Sequence, residues 1–238
     1  MRFDLLNVRN AKTIKGEKKG YRTFILYLIP HRGNGKGVNL CPMATNGCVD
    51  SCLNTAGMGV FPSVQKGRLK RTLLFIENRE YFLTRLVFEI ETAIKLAKLD
   101  NMIPVFRLNG TSDIQWENIK VKGDKNIFQL FPNITFYDYT KIANRYNKNL
   151  PKNYHLTFSF SGEVDYYSGR IIQLTKDILE TGNNVSVVFR KKLPEKFLGY
   201  KVIDGDADDL RFTNESGVII GLKAKGDARY DESGFVID

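Results

Sequence analysis

Thr23-Phe-Ile-Leu-Tyr-Leu-Ile-Pro30 is a short, uninterrupted apolar run closed by the turn signal Pro30-His31-Arg32, and its reading decides the fold class. A run of this length with no polar alternation suits a strand buried on both faces, as in a parallel sheet covered by helices. Downstream the pattern turns helical from Val64. Leu69, Leu73, Leu74 and Ile76, then Phe82, Leu86, Phe88 and Ile90, recur near helical spacing, and Asn78 reads as the break between two helices. A second strand covers residues 102–108, and further strand-like runs lie at 133–138, 155–161 and 184–189. Between the last two, Ile171, Ile172, Leu174, Ile178 and Leu179 form an apolar helical stripe. Strands alternating with helices imply right-handed parallel crossovers. The expected fold is therefore α/β: a partial (βα)6 TIM-like barrel of mainly parallel strands, with an N-terminal arm and an irregular C-terminal tail.

No Pro/Gly/Ser linker divides the chain, so a single domain is expected over 1–238. Residues 1–22, with the lysine-rich stretch 12–19, read as a peripheral arm or hairpin; 23–189 is the barrel core and 190–238 a C-terminal extension. The extension carries Asp204-Gly-Asp-Ala-Asp-Asp, which has the flavour of a calcium loop. It lacks the glycine an EF-hand needs at its sixth position and has no flanking helices, so it reads as an acidic turn paired with the basic segment after it.

At 238 residues and 42% hydrophobic content the chain can bury a full core, which excludes a disordered class. No apolar run approaches the roughly 20 residues that cross a bilayer, so no membrane role is expected. A formal charge of +10 and a pI near 9.4 favour polyanionic partners, a nucleotide or nucleic acid.

Every cysteine lies in Cys41-Pro-Met-Ala-Thr-Asn-Gly-Cys48-Val-Asp-Ser-Cys52, directly after the first strand. Pro42 and Gly47 let this loop wrap, so the C-x6-C-x3-C spacing can bring three sulfurs to one centre. Three is informative: a structural zinc closes its tetrahedron with four protein ligands, whereas three thiolates on a 4Fe-4S cluster leave one iron open. Scattered core cysteines would not choose so polar a loop. A disulfide is disfavoured by the odd count, and the N-terminus shows no secretory signal, so the expected location is cytoplasmic.

Polar residues gather where strands end, the usual place for binding groups in α/β folds. Asn109, Thr111 and Asp113 follow the second strand as candidates to hold the polar end of a ligand. Lys70 and Arg71, on the helix past the cysteines, would neutralise an anionic ligand. Tyr137, Asp138, Tyr139 and Lys141 end one run, and Ser159, Ser161 and Glu163 the next; of these, Glu163 and Tyr137 are the catalytic candidates.

A strand, a three-cysteine loop, a helix and a second strand ending in Asn109-Gly-Thr-Ser-Asp113 resemble, as topology over residues 23–189, the partial barrel of the radical S-adenosylmethionine superfamily. That resemblance implies that Cys41, Cys48 and Cys52 hold a 4Fe-4S cluster, with S-adenosylmethionine as a further cofactor on the open iron and residues 109–113 near its amino group. The spacing differs from that superfamily's C-x3-C-x2-C. More closely, Cys41-Pro-Met-Ala-Thr-Asn-Gly-Cys48, Cys52-Leu53, Arg71-Thr72, Arg107-Leu-Asn-Gly110, Val202-Ile-Asp-Gly-Asp206 and Gly221-Leu-Lys-Ala-Lys-Gly226 resemble the phage gene-product-88 family over nearly the whole chain. This second resemblance implies phage origin and assigns no activity. The leading expectation is an iron-sulfur, radical-SAM-like enzyme acting on a nucleotide or nucleic acid. Its rival is a non-catalytic nucleic-acid-binding protein stabilised by zinc, in which His31 or His155 completes a Cys3His site.

Overall fold

The computed structural model describes residues 4–8 and 11–238. In chain order the elements are β1 (Leu6–Asn7), α1 (Ala11–Glu17), β2 (Tyr21–Leu26), α2 (Asn46–Asp50), α3 (Pro62–Glu77), α4 (Arg79–Leu99), β3 (Ile103–Arg107), α5 (Ile127–Leu130), β4 (Thr135–Thr140), β5 (Tyr154–Ser159), α6 (Val164–Glu180), β6 (Asn184–Phe189), β7 (Lys196–Phe197), β8 (Tyr200–Asp204), β9 (Ile219–Lys223) and β10 (Val236–Ile237), with short 3-10 turns between them. The first four residues of the apolar run at 23–30 lie in β2, which starts two residues earlier and ends at Leu26, and β2, β3, β4, β5 and β6 pair in parallel in that order. The helix break falls at Asn78, whose side chain accepts from the Tyr81 amide and caps α4.

The expected partial (βα)6 barrel is not what the chain builds. Among the described residues ten strands form one mixed sheet in the order β1-β2-β3-β4-β5-β6-β9-β8-β7, with β10 also on β6 and with antiparallel pairs at its two ends, β1 on β2 and β7 on β8. Only two of the crossovers within the β2-to-β6 run carry long helices, α3 with α4 and α6. Between β3 and β4 there is a 3-10 turn and the four-residue α5, and between β4 and β5 only the 3-10 turn Ala143–Asn147. Both stretches are interrupted by asparagines and a proline, and neither offers an apolar stripe long enough for a helix. The tail is not irregular either. It supplies β7 to β10, with β9 parallel to β6 and β8 parallel to β9. The stretch read as an arm contributes β1 and α1, where Lys19 reaches Asp208 at 2.6 Å; residues 1–3 and 9–10 of it lie outside the described residues. The acidic turn pairs with the basic segment as expected, Asp206 with Lys225 at 2.6 Å.

Side-chain alternation gives the sheet two faces. On one, Phe24, Leu26, Phe106 and Phe136 pack against Phe75, Phe82, Leu86 and Ile90 of α3 and α4, and Phe158, Val185 and Val187 against Ile171 and Ile178 of α6. The other face carries Tyr21, Val105 and Tyr137, which the returning tail covers with Leu210 and Phe212.

Asp138 of β4 is fully buried and accepts from the amides of Leu108 (3.3 Å) and Asn109 (2.8 Å) and from the Tyr154 hydroxyl (3.1 Å). Burial raises its carboxyl to about 7, against the opposing fields of Arg107 and Arg145. A folded-state value above the unfolded one, near 4, means the folded chain holds the proton more tightly. That contribution is complete below about pH 4 and is lost as pH rises through about 7. Urea midpoints should therefore fall across this window, and Asp138→Asn should flatten the slope; parallel curves for both proteins would exclude this carboxyl as the source.

Candidate functional site

The parallel strands β2 to β5 share one carboxyl edge, and the chain leaving each contributes to a single neighbourhood there: His31 after β2, residues 109–113 after β3, Lys141 after β4, and Ser161 and Glu163 after β5. The cysteine loop folds over this edge. Cys41 is fixed by its amide donating to Asn39 Oδ1 (2.9 Å), by the His31 amide donating to its Sγ (3.3 Å), and by its Sγ lying 3.8 Å from the Thr111 carbonyl. Cys48 lies in α2, whose N-cap Thr45 accepts from the Cys48 amide and reaches Glu163 and, at 3.1 Å, Ser161. Cys52 opens the following 3-10 turn, and its Sγ accepts from the Asn54 amide at 3.4 Å.

All three thiols are free and half-buried, and they lie within electrostatic reach of one another. Burial pushes Cys41 up to about 12, with the charges of Cys52, Asp113 and Cys48 adding to it and the His31 amide opposing. Burial also raises Cys48, opposed by Lys141, and Cys52, opposed by the Asn54 amide and Arg68. Among the described residues no three His, Cys, Asp or Glu side chains converge as the ligands of a single metal ion. The thiols thus lie near one another at the carboxyl edge without forming a closed set of ligands for one ion.

Two cations lie within electrostatic reach of the thiols, Lys141 of Cys48 and Arg68 of Cys52. Lys141 donates Nζ to the carbonyls of Ser159 (3.1 Å) and Phe160 (3.3 Å) and lies 5.0 Å from the centre of the Phe235 ring. Burial lowers its ammonium, and Cys48, Glu163 and Asp113 oppose that fall. Arg68 of α3 donates Nη1 to Asn54 Oδ1 (2.6 Å) and its carbonyl (3.1 Å) and lies 4.8 Å over the Tyr27 ring. Its Nε is buried without a hydrogen-bond partner among the described residues. Three sulfur donors with two cations and an orphaned guanidinium N–H fit a group that carries net negative charge once thiolates bind it.

The other candidates divide. Asp113 is brought to the thiols: its carboxylate accepts from the Lys141 amide (2.8 Å) and from Arg145 (3.2 Å). Glu163 joins it, accepting from Ser161 Oγ at 3.0 Å. Thr111 donates to the Leu28 carbonyl at 2.5 Å. Asn109 is occupied in shaping its own loop, donating to the Ile114 carbonyl and accepting from Ser112, the Ile114 amide and the Trp116 indole. Tyr137 is fully buried beside Leu210 and Phe212, with its hydroxyl 3.2 Å from Thr23. Arg71 turns to the N-terminal segment, donating to the Asp4 carbonyl at 2.7 Å, and Lys70 is exposed. Of the histidines, His31 adjoins Cys41, while His155 lies near the start of β5, 6.0 Å from Phe212 and at the opposite edge of the sheet. Arg68, on the same basic helix start as Lys70 and Arg71, shares the buried stripe of α3 with Thr72 and Phe75, a 3.6-residue period visible in the sequence.

No helix among the described residues is long and apolar enough to cross a membrane. No curated protein and no solved structure matches the chain. A family model described as gene product 88 matches residues 4–238, which takes in the cysteine loop, the Arg68 helix and the tail that closes on them. The chain belongs to the gene product 88 family, the phage family its motifs resemble.

Proposed function

We propose that the protein binds a 4Fe-4S cluster through Cys41, Cys48 and Cys52 at the carboxyl edge of the sheet and, at the position those cysteines leave free, a further ligand, with S-adenosylmethionine the first compound to try. What supports the reading above all is the gathering of three free, half-buried thiols between Arg68 and Lys141. Such a cluster supplies one-electron reduction when bound. The chain's own groups do the rest. Arg68 and Lys141 offset the thiolate charge, the His31 and Asn54 amides donate to Cys41 and Cys52, and the Thr45-Ser161-Glu163 contacts seat the helix that carries Cys48. The net charge of +10 makes a nucleotide or nucleic acid the substrate class to test.

Anaerobic reconstitution should give brown protein with iron and sulfide in equal amounts, and replacing the three cysteines by serine should abolish both. Adding S-adenosylmethionine should change the paramagnetic spectrum of the reduced protein. Colourless protein with one zinc per chain, lost in His31→Ala, would overturn the cluster in favour of a Cys3His site; His31 alone is the histidine to replace, because His155 lies at the other edge.

A further inference from the structure

We infer that a cleft at the amino-terminal edge of the sheet, opposite the cysteines, binds the phosphate group of a nucleotide unit. The cleft, of about 350 Å³, opens at the start of β5 and β6, and its walls include Arg211, Lys148, Lys152, Thr157 and Asn183. No aspartate or glutamate lines it among the described residues, although the chain holds 26 acids to 36 lysines and arginines. A surface basic by average would mix both signs, so three cations without an acid mark an anion site.

Arg211 makes the argument specific. It is 4% exposed, yet its Nε and Nη1 have no hydrogen-bond partner among the described residues. Only Nη2 is used, donating to the carbonyls of Gly205 (3.3 Å) and Asp208. The nearest carboxylate, Asp208 at 3.5 Å from Nη2, is itself held by Lys19 at 2.6 Å. Leaving guanidinium N–H groups buried and unpaired is costly, and a small rotation of this cleft-lining side chain would let a phosphate oxygen satisfy them with charge-assisted bonds. Lys148 and Lys152 are exposed and make no ion pair among the described residues, so both are free to complete the phosphate's charge.

A second cleft of about 540 Å³ shares the wall formed by Pro151, Lys152 and His155. Its lining is more apolar, with Phe128, Pro132 and Ile134, and it too lacks acids among the described residues. A cationic cleft joined to an apolar one through an imidazole ring is the arrangement a nucleotide needs, with its phosphate in the first and its base against the ring in the second. The strand of six residues between the two edges puts this site roughly 20 Å from the cysteines, so it is independent of them.

The test uses the full chain at about 50 mM salt, with AMP followed by calorimetry and a fluorescein-labelled thymidine hexanucleotide by anisotropy. At least one should bind, inorganic phosphate should compete, and the double variant Lys148→Glu/Lys152→Glu should weaken binding about tenfold or more with its melting temperature unchanged. These exposed lysines are chosen because Arg211 also ties its own loop and its loss threatens folding. Equal affinities would identify a free nucleotide; a tighter hexanucleotide, with a log-log salt slope of about −2, would identify a strand. Absence of binding by both probes up to about 1 mM, or a double variant that binds like the parent, would overturn the site.

Discussion

Arg145→Ala should cost about 3–5 kcal/mol of folding stability, the largest loss expected from any single substitution outside the apolar core. The Arg145 side chain is fully buried. It holds Glu117 with two bonds, Nε to Oε1 at 2.9 Å and Nη2 to Oε2 at 2.7 Å, reaches Asp113 through Nη1 at 3.2 Å, and donates to the Tyr154 hydroxyl at 3.0 Å. Asp113 and Glu117 are almost as deeply buried, 10% and 8% exposed, so truncating the arginine strands two carboxylates with no other cation in the triad. A lysine cannot substitute, since one ammonium cannot span both acids with the fork geometry. The melting temperature should fall by roughly 10 °C or more for a chain of this length, in Arg145→Lys nearly as far as in Arg145→Ala. A fall of only a degree or two would show that the triad adds little beyond its packing. The consequence extends to the site, because Asp113 also anchors the Lys141 amide next to Cys48.

This triad explains what was legible in the sequence and what was not. Strand positions were readable because β2 and β6 lie in short segments rich in apolar and β-branched residues, and the break at Asn78 because its flanks are strongly periodic. The number of βα units was not. Periodicity finds helices that exist, and the chain replaces two expected ones with polar loops held by side chains: Asn109 between β3 and β4, and Asn153, which donates to the carbonyls of Phe128, Phe131 and Ile134. Nor does local pattern reveal that residues 190–238 rejoin the sheet. β9 and β10 find β6 across a long sequence separation, and β8 and β10 are too short or too exposed to announce themselves.

At the site the cysteines were legible because they stand alone in the chain, and the strand-end rule found Asp113, Lys141 and Glu163. It failed for Tyr137, which lies within β4 on the face the tail covers, and adjacency to the loop favoured Arg71 over Arg68. Arg71 is only about 60° round the helix from Arg68 but turns to the Asp4 carbonyl, so the buried face of α3, Arg68 to Thr72 to Phe75, was the better guide. Thr72 confirms that this face is the anchoring one, accepting from the Ile29 amide at 2.8 Å.

Gly47→Ala should unseat the cysteine helix, although it adds one methyl group. Gly47 is buried in α2, and a Cβ there would lie 2.7 Å from Glu163 Oε1 and 2.8 Å from Phe235 Cβ, and closer still to Ser233 Oγ. Ser233 can rotate away. Phe235 cannot follow cheaply, because its Cβ moves with a backbone pinned by the Val236 amide on Asp231 (2.9 Å) and by the Val236–Val188 pairing with β6. Either α2 lifts, carrying Cys48 from Lys141, or β10 leaves the sheet; overpacking of this kind costs about 1–3 kcal/mol. The control is Gly67→Ala in α3, where the nearest atom to the new Cβ is Arg71 Nη1 at an ordinary 3.6 Å. Helix propensity predicts that this variant gains about 0.5–1 kcal/mol. The two alanines should therefore shift the urea midpoint in opposite directions, and only Gly47→Ala should speed labelling of Cys48 by a thiol reagent in the metal-free protein. Equal labelling rates in the two variants would mean that α2 is not held by the tail and that Cys48 is placed by the loop alone.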